Sequence, residues 1–404
     1  MNILFLSELF YPQGGGAEYA TYLYAKRLSQ VGFNITVITN KSYGEPEIFK
    51  HGKLKICRLP LLSESGSVKY AILKRFDALF SSFMRKMMKW ADVIYIPRFW
   101  FSAIPLAKVL EKPIIIHLHD YIPICSLAVL YNEAEGKICN GKGFFCLSKC
   151  IYAYEKLHGR SLMETLWSVA LNSSIGRYLP KLIELSDAVI CVSEYQKRVL
   201  ATKKPCLRDR LYITYNPVPN LKIVEIKGDD FGYFGGPETL KGFQVLYKAL
   251  SHLNQANFNT RIHATKFPCT WREKADIFSK VGIIIHNKLN SNELRSIYQT
   301  VRAIIVPSIW PEPWPYVVVE ALVQGRIVLA SKVGGIPEQV QGCKGVQLFN
   351  TGDYVKLAEC MEYFSSLDRE EVIDLGLQNR EVFLRRFNTE SSIKNFINII
   401  QNVS

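Results

Sequence analysis

The feature that most limits what this chain can fold into is a pattern that runs twice. Short apolar runs rich in Ile and Val alternate with longer amphipathic stretches. In the first half the strand-like runs are Asn2–Ser7, Asn34–Thr39, Leu54–Leu59, Asp92–Ile96, Pro113–His119 and Ala188–Ser193. Several are apolar throughout, as expected of parallel strands covered on both faces. The stretches Ala17–Val31, Val68–Trp90 and Leu162–Leu185 read as helices. Asn216-Pro217-Val218-Pro219-Asn220 then breaks regular structure, because each proline pushes the residue before it out of helical geometry. After the break come Gly232–Phe234, Phe243–Leu253, Arg261–Ala264, Gly282–His286, Asn292–Thr300, Ala303–Pro307, Val317–Gln324 and Ile327–Ser331, again strand, helix, strand. Two doubly wound α/β domains of similar size follow. The length of 404 residues agrees, since one core rarely grows past about 250–300 residues. The expected division is residues 1–215, residues 216–388 and a last helix at 389–404, with a return to the first domain open to it. The hinge is expected near residues 215–228.

Composition narrows the function. No apolar run reaches about 18 residues, so a spanning helix is not expected. Met1-Asn2-Ile3-Leu4-Phe5-Leu6 has no basic n-region and reads as a first strand rather than a signal peptide. A cytoplasmic location is the expectation, with peripheral placement on the cytoplasmic face of a membrane open. The formal charge of +14 is uneven: residues 1–215 hold 29 Lys and Arg against 17 Asp and Glu, and the remainder is nearly balanced. A basic half points to an anionic partner or to no more than a basic surface. Nucleic acid fits poorly, since no helix-turn-helix, RNP-like or finger pattern is present. The glycines at 14–16 do not make a GxGxxG, and no Walker A lysine follows them, so dinucleotide and ATP sites are not indicated.

The most informative segment is Val306-Pro-Ser-Ile-Trp-Pro-Glu312-Pro-Trp-Pro-Tyr-Val-Val-Val-Glu320. Glu312 falls in the loop after a buried strand, where open α/β sheets bind ligands. Pro315 suits a helix start, where a missing N–H costs nothing. Tyr316 and Val317 then aim backbone N–H groups outward, an arrangement that attracts phosphate. Glu320, further along, can accept both hydroxyls of a ribose.

Here the chain resembles the retaining GT-B glycosyltransferases of family GT4. The likeness rests on Glu312-x7-Glu320 after Pro307-Ser308, Gly325, and Ala330-Ser331-x-Val333-Gly334-Gly335-Ile336-Pro337-Glu338. It extends to Gly15-Gly16-Ala17-Glu18, His119-Asp120, Asn216-Pro217-Val218 and Lys241-Gly242, and so spans most of the sequence. The resemblance implies a GT-B fold, two Rossmann-like domains facing a central cleft, the first on the acceptor side and the second binding the donor. It implies transfer of a sugar from a UDP- or GDP-linked donor to a lipid-linked or polysaccharide glycan, by same-face, metal-independent chemistry. Glu312, His119 and Lys241 would be catalytic: Glu312 contacts the donor sugar, His119 hydrogen-bonds it, and Lys241 neutralises the pyrophosphate. Glu320 would hold the ribose. Gly15 and Gly16 would let the backbone approach the donor phosphate, and Trp314, Pro315, Tyr316 and Val317 would complete the donor site. No cofactor is required beyond the donor. The family usually carries Arg five residues before the phosphate-binding Lys, and here that position is Gly236, so another basic residue or a backbone nest must serve. Many members have Gly where this chain has Pro315. A sugar-nucleotide epimerase and a non-catalytic partner of the same fold are the alternatives.

Two further features are open to more than one reading. Cys125, Cys139, Cys146 and Cys150 cluster in an insertion at 121–150. They could hold a structural zinc, pair as disulfides or remain thiols. Residues 74–90 carry a stripe of Phe76, Leu79, Phe80, Phe83, Met87 and Trp90 opposite basic residues. Such a helix either faces the core or docks on anionic lipid.

Overall fold

A computed structural model of the chain describes residues 1–41, 47–59, 79, 81–133, 135–139, 144–157, 159–174, 178–253 and 260–404. The chain divides into two compact units, Met1–Pro217 with Thr389–Ser404, and Val218–Asn388.

The first unit runs β1 (Asn2–Leu6), α1 (Gly16–Gln30), β2 (Asn34–Asn40), β3 (Ile48–His51), β4 (Leu54–Leu59), α2 (Ser82–Trp90), β5 (Val93–Ile96), α3 (Ile104–Val109) and β6 (Ile114–Leu118). It continues with β7 (Tyr131–Asn132), β8 (Lys137–Ile138), α4 (Phe144–Leu157), α5 (Leu162–Ser173), β9 (Ala188–Cys191), α6 (Glu194–Lys203) and β10 (Leu211–Ile213). Its main sheet has the order β10-β9-β6-β5-β1-β2-β4-β3, parallel except at the β3 edge. The sequence pattern did not predict β3, because its four residues are all exposed and show no apolar alternation.

The continuous apolar strands have a direct cause. In β1, Ile3 and Phe5 enter one core while Leu4 and Leu6 enter the other. Each such side chain, fully buried, contributes roughly 1.5–3 kcal/mol. The last helix, Thr389–Val403, belongs to this unit: Phe396 is fully buried with its ring 5.0 Å from those of Tyr24 and Tyr95.

Two expectations change in this unit. The helix expected over Leu162–Leu185 ends at Ser173, and Leu179–Leu185 is a 3-10 turn. Pro180 explains the interruption, since it lacks a donor and disfavours helix at the preceding residue. In α2, Met84 and Met88 are buried, Phe83, Met87 and Trp90 pack against the same core, and Arg85, Lys86 and Lys89 face solvent. This helix is core-facing; Phe76 and Phe80 of the expected stripe lie outside the described residues.

The second unit runs β11 (Asp230–Tyr233), α7 (Phe243–Leu253), β12 (Ile262–Ala264), α8 (Ala275–Ser279), β13 (Ile283–Ile285), α9 (Ser291–Thr300) and β14 (Val301–Val306). Then come α10 (Tyr316–Val323), β15 (Ile327–Ser331), α11 (Ile336–Val340), β16 (Val346–Phe349), α12 (Tyr354–Ser366) and α13 (Arg369–Arg386). Its sheet is parallel throughout, in the order β13-β12-β11-β14-β15-β16. The order reverses direction between β11 and β14, and such a switch point is where open α/β sheets leave a crevice beyond their strand ends.

Candidate active site

Three loops carry the candidate site in the second unit. They follow β11, β12 and β14, which are neighbours in the sheet. The loop after β11 closes in a 3-10 turn, Thr239–Lys241, and ends on Gly242 in left-handed geometry. A Cβ at Gly242 would lie 1.8 Å from the Pro307 carbonyl oxygen, so only glycine lets this loop lie against the end of β14. That approach brings Lys241 Nζ to 2.7 Å from Glu312 Oε1. Glu312 is 4 % exposed and also accepts from Ser308 Oγ at 2.9 Å. The Lys241 ammonium lies 5.3 Å from the Trp310 ring centre.

Glu320 lies on α10, whose N-cap is Pro315 and carries no side-chain cap. Its carboxyl has no hydrogen bond or ion pair with a described residue. Burial pushes its pKa up to about 7, against the pull of the Lys266 ammonium. Lys266, just after β12, adopts φ 70°. It lies beside Gly236, where a Cβ would meet the Lys266 carbonyl oxygen at 3.1 Å. No carboxylate of the described residues lies within ion-pair distance of its ammonium. Solvent reaches Lys266, yet desolvation holds its pKa below the ordinary value, with Glu320, Lys241, Glu238 and Glu312 the charges it feels.

The loop after β13 borders a cavity of about 370 Å³ lined by Ile285, His286, Asn287, Lys288 and Glu293 among others. His286 continues a chain of side chains, with His263 Nδ1 at 3.0 Å from His286 Nε2 and His263 Nε2 at 3.0 Å from Asp230 Oδ2. The loop is tied to Lys266 and Phe267 by backbone bonds onto the Asn287 and His286 carbonyls.

In the first unit the equivalent strand ends, those of β1, β5 and β6, carry a second cluster. The Gly15 N–H donates to Glu18 Oε2 at 2.7 Å, and Arg98 donates from Nη1 to Glu18 Oε1 at 3.0 Å. Arg98 Nε also lies 3.5 Å from Asp120 Oδ2. Burial raises the Glu18 carboxyl, but Arg98 and the Gly15 N–H outweigh it and leave the pKa below normal. His119 stacks on His117 at 4.6 Å and its pKa falls to about 4, chiefly through burial, so it is neutral at physiological pH. Its buried Nε2 has no hydrogen-bond partner among the described residues.

Two sequence profiles match this chain. One, described as Glycosyltransferase Family 4, covers residues 14–220, and the other, Glycosyl transferases group 1, covers residues 228–366. The chain belongs to glycosyltransferase family 4. A curated relative from Klebsiella pneumoniae, an uncharacterized 42.6 kDa protein in a cps region, is 24 % identical over 84 % of this chain and 87 % of its own length. Among solved structures, sucrose-phosphate synthase from Thermosynechococcus elongatus superposes with a TM-score of 0.72 at 15 % identity, covering 99 % of this chain and 98 % of that one. HepE from Anabaena, solved with UDP and glucose, gives 0.66 at 15 % identity, with all of both chains covered. These likenesses carry the GT-B glycosyltransferase fold.

The glycosyltransferase gathers Lys241, Glu312, Glu320 and the start of α10 in one unit. Pro315 is the N-cap, with Tyr316 and Val317 the first two helical residues. Trp314 is a packing residue here, buried with its ring 5.0 Å from that of Phe387. Gly16 opens α1, while the Gly15 N–H is occupied by Glu18 rather than directed outward. Lys266 and the cavity beside His286 were missed. The only sequence signal was a lysine directly after a strand, which is common on surfaces. Cys125, Cys139 and Cys150 are not in disulfides. Among the described residues no group of three or more His, Cys, Asp or Glu could hold a metal, and the Cys146 side chain lies outside them. No helix among the described residues is long and apolar enough to cross a membrane.

Proposed function

We propose that this glycosyltransferase moves a hexose from a UDP- or GDP-linked donor to a glycan acceptor, lipid-linked or polysaccharide, with retention at the anomeric carbon and without a metal. The observation that carries the donor reading is the gathering of two lysines and two glutamates at the switch point of the second sheet, with Glu320 and Lys266 both lacking a hydrogen-bond or ion-pair partner among the described residues. Unpaired, partly desolvated groups of opposite sign are costly unless a ligand completes them. A nucleoside diphosphate supplies what each lacks, ribose hydroxyls for Glu320 and phosphate oxygens for Lys266. The neighbouring cavity of about 370 Å³ is of a size for the heterocyclic base. UDP bound to the similarly folded HepE supports the donor class.

Lys266 takes the place of the arginine that position 236 lacks. A side chain at Gly236 would press on the Lys266 backbone, and glycine there makes room for a lysine entering from the adjacent strand end. Lys241 supplies the other ammonium once the donor draws it from Glu312, and the α10 N-terminus adds its dipole. In the transfer, the bond from the anomeric carbon to the β-phosphate oxygen breaks. The acceptor oxygen bonds to that carbon on the same face, and the departing phosphate oxygen takes the acceptor's proton. Glu312, released from Lys241, accepts from the sugar hydroxyls. His119, neutral and with a free ring nitrogen, is assigned a hydrogen bond to a sugar hydroxyl.

The test is a screen of purified protein against UDP- and GDP-sugars, reading donor binding by calorimetry and donor cleavage by released nucleotide. Lys241→Ala and Glu312→Gln should each lower turnover by about 10²–10³-fold with the fold intact by circular dichroism. Near-normal rates in both variants would overturn the assignment.

A further inference from the structure

Helix α5 is built inside out. Its buried positions are Thr165, Ser168 and Asn172, spaced i, i+3 and i+7. They form a polar seam: Ser168 Oγ donates to Glu155 Oε1 of α4 at 2.6 Å, and Asn172 Nδ2 donates to the Ser168 carbonyl at 2.8 Å. Four large apolar residues face outward instead, with Leu162 55 %, Met163 78 %, Leu166 52 % and Trp167 50 % exposed, while Val169 and Leu171 are half-buried. A surface helix of a soluble domain normally shows the reverse arrangement. Helix α5 is held by a Ser161–Glu164 capping box and by packing against α4, so the outward stripe belongs to an ordered element.

The charges around the stripe are mainly basic. On α4, Lys149, Tyr152 and Lys156 are exposed at i, i+3 and i+7, with the Lys156 ammonium 5.9 Å from the Tyr152 ring centre. Arg160, in the turn between the helices, is half exposed and lies 4.0 Å from Glu155 and 3.9 Å from Glu164. Over residues 148–174 the one exposed acid among the described residues is Glu164, and Glu155 is buried in the seam. Two copies of this face would set like charges against each other, which disfavours self-association. Aliphatic side chains and a Trp beside Lys, Arg and Tyr match a surface that is apolar below and anionic above.

We infer that the outward faces of α4 and α5 dock this protein on an anionic lipid bilayer, with Leu162, Met163, Leu166 and Trp167 entering the interface and Lys149, Lys156 and Arg160 meeting the headgroups. The surface is separate from the donor site and stands without the donor assignment. It is also not the surface that amphipathicity first suggests, since α2 turns its stripe into the core.

Flotation of the full chain with vesicles tests this, using phosphatidylcholine alone or with about a third phosphatidylglycerol. The anionic vesicles should carry up at least about tenfold more protein than the neutral ones, with a blue shift in tryptophan emission. The double variant Leu166→Asn with Trp167→Ser should lose vesicle binding while keeping the wild-type unfolding temperature and sugar-nucleotide affinity. Lys149→Glu with Lys156→Glu should remove the preference for anionic lipid. Wild-type protein that stays unbound with both vesicles, or a double variant that floats as the wild type does, overturns the proposal. A dimer seen by light scattering and abolished by the same double variant, without vesicle binding, assigns the face to a second copy and equally overturns it.

Discussion

The two units place charged clusters at matching positions, beyond the C-terminal ends of adjacent parallel strands, and complete them in opposite ways. In the first unit Arg98 lies between Glu18 and Asp120, and the Gly15 N–H takes up the remaining Glu18 oxygen. In the cluster of the second unit Lys241 and Glu312 are paired, and the Glu320 carboxyl and Lys266 ammonium have no hydrogen-bond or ion-pair partner among the described residues. The first cluster is an internal brace that holds the start of α1 and the loops after β5 and β6. The second is half-finished, as a ligand site must be. Position on the fold is thus shared, and the two clusters differ in how far their charges are paired.

The largest effect that would break this contrast is at Arg98. Arg98→Ala leaves Glu18 and Asp120 buried without their shared cation, and chemical denaturation should show a loss of about 2–4 kcal/mol. A variant as stable as the wild type would mean that the first cluster is no brace. Next comes Lys266→Ala, which should weaken nucleoside diphosphate binding about tenfold, leave nucleoside binding within about twofold, and leave stability nearly unchanged. Equal weakening for nucleoside and nucleoside diphosphate would remove Lys266 from the phosphate site.

The smallest effect concerns pH. Glu320 has a folded pKa of about 7, above its ordinary value of 4.5. The folded protein therefore keeps a proton that the unfolded chain loses, and stability falls as pH rises from 4.5 to 7. Glu320→Gln should abolish that decline, so the unfolding temperature of the variant should exceed wild type at pH 8 and match it near pH 4.5. Donor affinity of the wild type should rise through pH 7 as the carboxylate forms, and the variant should show a flat, weaker profile. Lys266→Ala should move the wild-type inflection upward, because the ammonium holds that pKa down.

Much of this organisation is legible in the sequence, for identifiable reasons. Strands covered on both faces need unbroken apolar runs, and β1 from Ile3 on, β5 and β9 supply them. Glu312, Glu320 and Lys241 sit in local spacings that survive as a linear pattern. Lys266 does not, because its meaning comes from the pairing of β12 with β11, which sets it beside a residue 30 positions earlier. The orientation of α5 is hidden for a related reason. Periodicity reports that Leu162, Leu166 and Trp167 share a side, but not that Glu155 of α4 would claim the polar side for the interior. The exposed strand β3 has no pattern at all and is fixed only by its pairing to β4.

The ion pair between Lys241 and Glu312 has a consequence for what the protein ignores. A simple anion such as chloride or sulfate must compete with a carboxylate already seated on that lysine, and it brings no hydrogen-bond donor for Glu312 in exchange. A sugar nucleotide brings both, an anion for the lysine and hydroxyls for the glutamate. On the proposed donor reading, the pair would act as a latch that requires two simultaneous replacements, and so would screen the site against such small anions without any separate gate.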